Sequence, residues 1–391
     1  MEVLNLGSQP PSNALLTDPN TLEEYYPLRL VVCRACYLLQ LDYDVPHAQL
    51  FDSSYPYFSG QSAAWVEHCK QYVEMITKRL GIGKDSAVVE IGGNDGTLLK
   101  NFKKGGSGSK AVASETPFFL CSIDPSESVA EAAAKNGVGT IRKGFGRDTR
   151  LPYKANLLIA NNVLAHDPDL RGLVEGVAAN LEIAGTFTAE FPWALNLIEQ
   201  TQFDTIYHEH YSYFTLHALV PLFIEFGLRI YDVEELPTHG GSLRIYASAT
   251  GAHEVKSSVM DLMAREAALL KMETYWKFRE RAYALRADFE AFLWGKEIYA
   301  YGAAAKGNTF LNWLRIEQGI LAVGDTTPAK IGKFLPGTHI PVISEEEMLS
   351  KRPEYVLILP WNWASTIVDK LHCIRGWGGQ FVTAIPELRV F

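Results

Sequence analysis

Seven consecutive residues, Ser86-Ala-Val-Val-Glu-Ile-Gly92, read as a buried strand, and they run straight into Gly93-Asn94-Asp95-Gly96. Residues 97–102 then begin a helical pattern. Strand, glycine turn and helix in that order make a parallel α/β unit. Glycine lets the backbone approach a ligand closely, and the first N–H groups of the helix aim at it. Spacing alone makes this a weak motif, since many α/β turns look alike, but its surroundings strengthen it. After a Gly/Ser-rich loop at 105–109, residues 118–123 form a second strand ending in Asp124-Pro125, followed by a helix-like stretch at 127–136. A carboxylate closing the second strand is placed to accept hydrogen bonds from ribose hydroxyls, a device that dinucleotide and S-adenosylmethionine sites share.

An amphipathic stretch at 63–80, closed by Gly81 and Gly83, precedes this unit and predicts a helix. Further strands are expected at 155–160 and 185–192, and then at 228–233 and 242–248. The last two are joined by a short loop and can pair antiparallel at a sheet edge, as the closing strands of class I methyltransferases do. A doubly wound dehydrogenase usually lacks that hairpin. Residues 254–292 are charged, helical in period and free of Gly and Pro, and read as a connector. A second α/β unit follows: a strand at 297–301 enters Gly302-Ala-Ala-Ala-Lys306-Gly307-Asn308-Thr309, with further strands at 320–324, 355–360 and 380–385. Lys306 at a helix start suits a phosphate, and an ordinary tight turn would look the same.

With 391 residues the chain exceeds one ordinary core, so two or three domains are expected. A net charge of −9 without a dense Lys/Arg run argues against nucleic acid or an anionic membrane as partner. No uninterrupted apolar stretch could span a bilayer and residues 1–16 lack signal-peptide character, so a cytoplasmic protein is expected. The oligomeric state stays open, with a monomer compatible with the sequence. The five cysteines are an odd number, and only Cys33 and Cys36 stand in a short spacing, inside an apolar run at 28–41 of a strand-and-loop module. Structural zinc takes four ligands, usually two such pairs, so this single pair predicts little or no tightly bound zinc.

The densest titratable cluster is Tyr207-His208-Glu209-His210-Tyr211. If helical, Tyr207, His210 and Tyr211 share a face; if extended, the two histidines do. Either arrangement can hold an imidazole beside a hydroxyl, as acid–base chemistry near neutral pH requires, and such clusters also occur as structural polar networks.

Several separate stretches resemble one family, the S-adenosylmethionine-dependent C-methyltransferases acting on nucleotide-linked keto sugars. They are Leu6-Gly-Ser-Gln-Pro-Pro-Ser-Asn-Ala14, Glu90-Ile-Gly-Gly-Asn-Asp-Gly-Thr-Leu-Leu99, Asn161-Asn-Val-Leu-Ala-His166, Tyr207-His-Glu-His210, His239-Gly-Gly-Ser-Leu-Arg244, Tyr301-Gly-Ala-Ala-Ala-Lys-Gly307, and Pro336-Gly-Thr-His-Ile-Pro341 with Leu359-Pro-Trp-Asn362. They cover nearly the whole chain in the family's order.

The resemblance implies an α/β protein with a class I methyltransferase (Rossmann-like) central domain at 53–252. A second Rossmann-like, sugar-nucleotide-binding domain with the helical connector would occupy 253–391, and a small zinc-ribbon-like module 1–52. It implies His210 as the base, with Tyr207 and Glu209 positioning it or the sugar, and His166 beside the oxyanion. The cofactor would lie along Glu90, Gly92, Asn94, Asp95 and Gly96, with Asp124 on its ribose and Asn161 and Asn162 beneath its methionine part. Tyr57, His239, Gly240, Lys306 and Asn308 would bind the substrate, a small nucleotide-linked sugar. Two departures stand out. The family usually has two Cys-x-x-Cys pairs, the first of which would fall before Met1, so Cys33 and Cys36 form half a site in a chain that is shortened or has lost the metal. The middle glycine of Glu-x-Gly-x-Gly-x-Gly is Asn94, a variation this family shares. The rival readings are a nicotinamide oxidoreductase and a non-catalytic sugar-nucleotide binding protein.

Overall fold

A computed structural model describes residues 1–50, 58–103, 116–316 and 318–391. Tyr57 and the Gly/Ser-rich loop at 105–109 lie outside the described residues. The chain divides into two compact units, neither continuous in sequence: Met1–Leu50, Trp193–Tyr213 and Glu266–Phe391 form the first, Phe51–Pro192 and Phe214–Arg265 the second.

The first unit holds two sheets. Strands β1 (Glu2–Gln9), β2 (Tyr26–Val32), β3 (Leu39–Leu41) and β9 (Ser212–Tyr213) pair antiparallel in that order. The second sheet runs β14 (Val342–Ser344), β13 (Ile320–Asp325), β12 (Ile298–Tyr301), β15 (Tyr355–Ile358), β16 (Gln380–Thr383) and β17 (Arg389–Val390). All its pairings are parallel except the last. Near-continuous burial along β13 and β15 is what parallel strands covered on both faces require. Tyr301, Val356, Ile358, Ile367, Leu371, Ile374 and Phe381 form a core on this sheet.

The second unit is built on a seven-stranded sheet. Its order is β10 (Leu228–Leu236), β11 (Ser242–Ala249), β8 (Leu181–Pro192), β7 (Ala155–Asn161), β4 (Ala87–Ile91), β5 (Phe119–Ile123) and β6 (Gly139–Ile141). Strands β4 to β8 are mutually parallel, and β11 runs antiparallel to both β8 and β10. The expected edge hairpin is therefore present. Counted along the chain the order is 3-2-1-4-5-7-6 with only the seventh strand reversed, the arrangement of class I methyltransferases. Helix Ala63–Leu80 packs on this sheet through Cys69, Tyr72, Val73 and Ile76, whose three- and four-residue spacing makes one face. Ser62 caps its start by accepting from the Trp65 N–H, and Gly81 ends it at φ 66°, a left-handed conformation glycine adopts without a Cβ clash.

Three local expectations are corrected. Residues 97–102 do not enter an α-helix; they form a 3₁₀ turn at Leu99–Phe102. The Asn101 carboxamide donates to the carbonyls of Thr97 and Leu98, a local bond that competes with helix continuation. Residues 207–211 are neither helix nor strand but a reverse turn closed by the His210 N–H to the Tyr207 carbonyl at 2.9 Å. The connector is not one helix: Ser257–Glu266 and Met272–Leu293 are separated by a 3₁₀ turn, Ala267–Leu270, and an extended Lys271. Among the described residues no helix is long and apolar enough to cross a membrane.

Candidate active site

In the second unit the end of β4 turns sharply, with Gly92, Asn94 and Gly96 all at positive φ (62°, 47° and 73°). Asparagine is among the few residues with a side chain that tolerate this region, which explains Asn94 at a glycine position. At Gly93 the turn leaves no room for a side chain: a Cβ there would lie 2.4 Å from Ser122 Oγ and 3.1 Å from Glu90 Oε2. Asp124, just past β5, accepts the N–H of Asn94 at 3.3 Å and of Ser126 at 3.0 Å. Asn94 Oδ1 accepts from the Ser59 and Asp95 amides, both at 2.9 Å. The Asp95 carboxylate is engaged by the amides of Gly60 and Thr97 at 2.9 and 3.2 Å, so it shapes the turn from within.

Glu90 is buried, and burial first, then the charges of Asp95 and Asp124, hold its carboxyl well above the usual carboxylate range. Among the described residues, no partner is found for several buried polar atoms of this unit: Glu90 Oε2, Ser122 Oγ, both carboxamide atoms of Asn161, and Asn162 Oδ1. Buried donors and acceptors without a partner are costly, so a ligand or water that reaches them gains hydrogen bonds. A positive-φ turn, an acidic end to β5 and these atoms fit the ribose and amino-acid parts of S-adenosylmethionine. His166 closes the 3₁₀ turn Leu164–His166 after β7. His239 (φ 56°) places Nε2 3.4 Å from Asn162 Nδ2, and Gly240 follows at φ 90°. Sequence reasoning passed over Glu190 and Arg244, buried on the neighbouring strands β8 and β11. The available signal was a charge inside the otherwise uncharged runs 185–192 and 242–248.

In the first unit, Tyr207 Oη and His210 Nε2 are 2.9 Å apart, with ring centroids at 4.2 Å. Glu209 Oε1 accepts from Asn13 Nδ2 at 2.7 Å, which ties the turn to the stretch 6–14. His208 donates from Nε2 to the Tyr26 carbonyl at 3.3 Å, and burial pushes its pKa down to about 4. Tyr211 donates to the Val45 carbonyl at 2.9 Å. His208 and Tyr211 thus hold the turn, and Tyr207 and His210 form its imidazole–phenol pair.

Lys306 lies in the first turn of helix Ala305–Leu314, where burial lowers its pKa against the opposing charge of Asp204. Its Nζ donates to Asn362 Oδ1 at 2.9 Å and stands 4.7 Å from the Trp361 ring centre. Asp204, which nothing in the sequence singled out, accepts from Trp361 Nε1 at 2.8 Å, and burial raises its carboxyl to about 6. Asn308 is buried, and neither carboxamide atom has a partner among the described residues. Cys33 and Cys36 lie between β2 and β3; the amides of Cys36 and Ala35 pull the Cys33 thiol down while burial pushes Cys36 up. Among the described residues no group of three or more His, Cys, Asp or Glu side chains is placed to hold a metal ion.

Comparison with known proteins agrees with this architecture. Residues 65–233 match the family described as "Methyltransferase domain", 237–386 that described as "C-methyltransferase C-terminal domain", and 1–51 a "Putative zinc binding domain". The chain is 34% identical over 406 aligned positions to the C-methyltransferase NovU of Streptomyces niveus, covering 100% of this chain and 94% of that protein. Solved structures with partial likeness include the magnesium protoporphyrin IX methyltransferase of Synechocystis PCC 6803 with bound SAM (16% identity, TM-score 0.35, covering 48% of this chain and 82% of that one). Another is an S-adenosylmethionine-dependent methyltransferase of Clostridium acetobutylicum (11% identity, TM-score 0.38, covering 48% and 92%). The oxidoreductase and non-catalytic readings are set aside by the full-length match, and the chain belongs to the S-adenosylmethionine-dependent C-methyltransferases.

Proposed function

We propose that this enzyme methylates a carbon beside the ketone of a nucleotide-linked keto sugar, with His210 as the general base. The observation that carries this reading is the 2.9 Å contact between Tyr207 Oη and His210 Nε2, in a turn whose other side chains serve to hold it. S-adenosylmethionine, when bound, supplies an electrophilic methyl group. What remains for the protein is to make a carbon nucleophile, and a C–H beside a ketone yields its proton only if the enolate oxygen is stabilised.

The tautomer in which His210 Nε2–H donates to the Tyr207 oxygen presents Nδ1 as the proton acceptor. The phenol O–H can then donate to the enolate oxygen. Glu209 steadies the turn through Asn13, and His166 is a second donor to that oxygen. Glu90, Gly92, Asn94, Gly96, Asp124, Asn161 and Asn162 hold the cofactor, with Asp95 bracing their turn. Lys306 and Asn308 meet the diphosphate-linked part of the substrate, with His239 and Gly240 contributing from the methyltransferase domain. In this reading residues 53–252 bear the methyl donor and 253–391 the sugar nucleotide, a second Rossmann-like domain, while 1–52 is the zinc-ribbon-like module. Alignment is then the main requirement for transfer.

The test is a panel of nucleotide-linked keto sugars in deuterated water, read by mass spectrometry. The intact enzyme should form a carbon–methyl bond and, with S-adenosylhomocysteine in place of the donor, wash deuterium into the carbon beside the ketone. His210→Ala should bind the cofactor yet lose both activities by at least the ~10²–10⁴-fold that a general base supplies. Normal exchange in that variant would rule out His210. No product and no exchange from the intact enzyme with any keto sugar would rule out the substrate class.

A further inference from the structure

One imidazole of the methyltransferase domain has no role in the chemistry described so far. His68, on the helix Ala63–Leu80, points Nε2 at the Glu190 carboxylate, 2.8 Å from Oε1 and 3.0 Å from Oε2. The Glu190 side chain is completely buried at the end of β8, where Arg244 Nη2 donates to Oε2 at 3.1 Å and Thr238 Oγ1 to Oε1 at 3.3 Å. Burial alone would raise this carboxyl, but the hydrogen bond from His68 and the charge of Arg244 outweigh it and hold Glu190 below the usual carboxylate range. A carboxylate accepts only, so Nε2 of His68 carries the proton of this contact and Nδ1 is the ring atom left for a ligand. No protein group among the described residues bonds Nδ1, and 17% of the His68 side chain remains accessible.

The charges around the pair balance without His68. Glu190, Asp232 and Glu234 are matched by Arg244, Arg79 and Lys256. Each of these carboxylates already has a cationic partner, so His68 serves the cluster as a hydrogen-bond donor. The surroundings are those of the cofactor residues. Asn161, whose carboxamide is unsatisfied, is the β-partner of Glu190, and the Asn162 N–H donates to the Glu190 carbonyl at 2.7 Å. Trp65 stacks on His68 with centroids at 5.0 Å and stands 6.0 Å from His239.

We propose that His68 Nδ1 accepts a hydrogen bond from a hydroxyl group of the methyl acceptor, making His68 a specificity-determining residue and Glu190 the positioning residue that fixes its tautomer. The inference rests on the reading of the acceptor as a hydroxylated keto sugar. It differs from the role of His210, which works on the C–H bond.

Nitrogen-15 spectra of histidine-labelled enzyme should show His68 as the neutral Nε2–H tautomer at pH 7.5, and Glu190→Gln should lose that fixed state. With the nucleotide-linked keto sugar that the intact enzyme turns over fastest, His68→Phe should raise the acceptor KM at least tenfold. It should leave S-adenosylmethionine affinity within twofold, and His68→Gln, which keeps an acceptor atom, should recover part of the loss. The analogue of that sugar lacking the bonded hydroxyl should behave alike with intact enzyme and His68→Phe. An unchanged KM in His68→Phe, or equal losses with every deoxy analogue, overturns the inference, and so does an Nδ1–H tautomer. If His68→Phe does not fold, the glutamine variant and the spectra decide. Failure of every keto sugar with intact enzyme overturns the substrate reading instead, and the tautomer measurement still judges His68.

Discussion

Two buried side chains, one in the 207–211 turn and one just before it, give the fold opposite responses to pH. The His208 pKa falls from 6.5 to about 4 because burial disfavours its charged form. Below pH 6.5 the unfolded chain binds the proton that the fold refuses. Stability from this residue is therefore full above pH 6.5 and is lost as pH drops towards 4, by up to about 3 kcal/mol. Asp204 is shifted the other way, from 3.8 to about 6, so the fold keeps a proton the unfolded chain releases. Its contribution is full below pH 4 and is lost as pH rises to 6. His208→Asn should therefore flatten the acid loss, and Asp204→Asn should steepen it, in urea titrations between pH 4.5 and 7. The reverse pattern would show that these groups titrate normally. Asp124→Ala removes an acceptor from the Asn94 amide and, in the proposed cofactor site, from the ribose. Losing a charged hydrogen bond costs about 1.5–3 kcal/mol, so calorimetry should show S-adenosylmethionine bound at least several-fold more weakly.

The turn after β4 works as an element because three of its residues sit at positive φ and a fourth has no space for a side chain. Asn94→Gly removes the Oδ1 bonds but keeps the conformation, so cofactor binding should weaken only modestly. Asn94→Val forces a β-branched residue into the left-handed region, at a cost of about 1–2 kcal/mol or more, and should lose most binding. Gly93→Ala must displace Ser122 or Glu90 and should reduce affinity at least tenfold; calorimetry on all three variants checks the ranking. The elements differ in how far sequence revealed them. Helix Ala63–Leu80 was readable at both ends because its apolar spacing and Gly81 are local properties. The 3₁₀ turn at Leu99–Phe102 was not, because it depends on where the Asn101 amide finds carbonyls. The Tyr207–His210 turn was ambiguous for a similar reason: its geometry is set by distant anchors at Asn13, Tyr26 and Val45.

For the whole molecule, a ligand that binds only the folded state adds stability by mass action, about 2.7 kcal/mol at a hundredfold excess over Kd. S-adenosylmethionine should therefore raise the unfolding midpoint in calorimetry, and NAD at the same concentration should not. Elemental analysis of the chain described here should find well under one zinc per molecule; a full equivalent would require ligands beyond Cys33 and Cys36. The sequence by itself determined the alternation of strands and helices, the glycine turn, the acidic end of β5 and the edge hairpin. Each of these is encoded by periodicity or by residues whose backbone preferences are local. Only the tertiary structure decided that His208 and Tyr211 are anchors while Tyr207 faces His210, that Asp95 braces its own turn, and that Asp204 lies against Trp361 in the Lys306 cluster. It alone paired His68 with Glu190 across 122 positions of sequence. A side chain's partner and its exposure depend on which remote segments the fold brings beside it, and no local pattern carries that information.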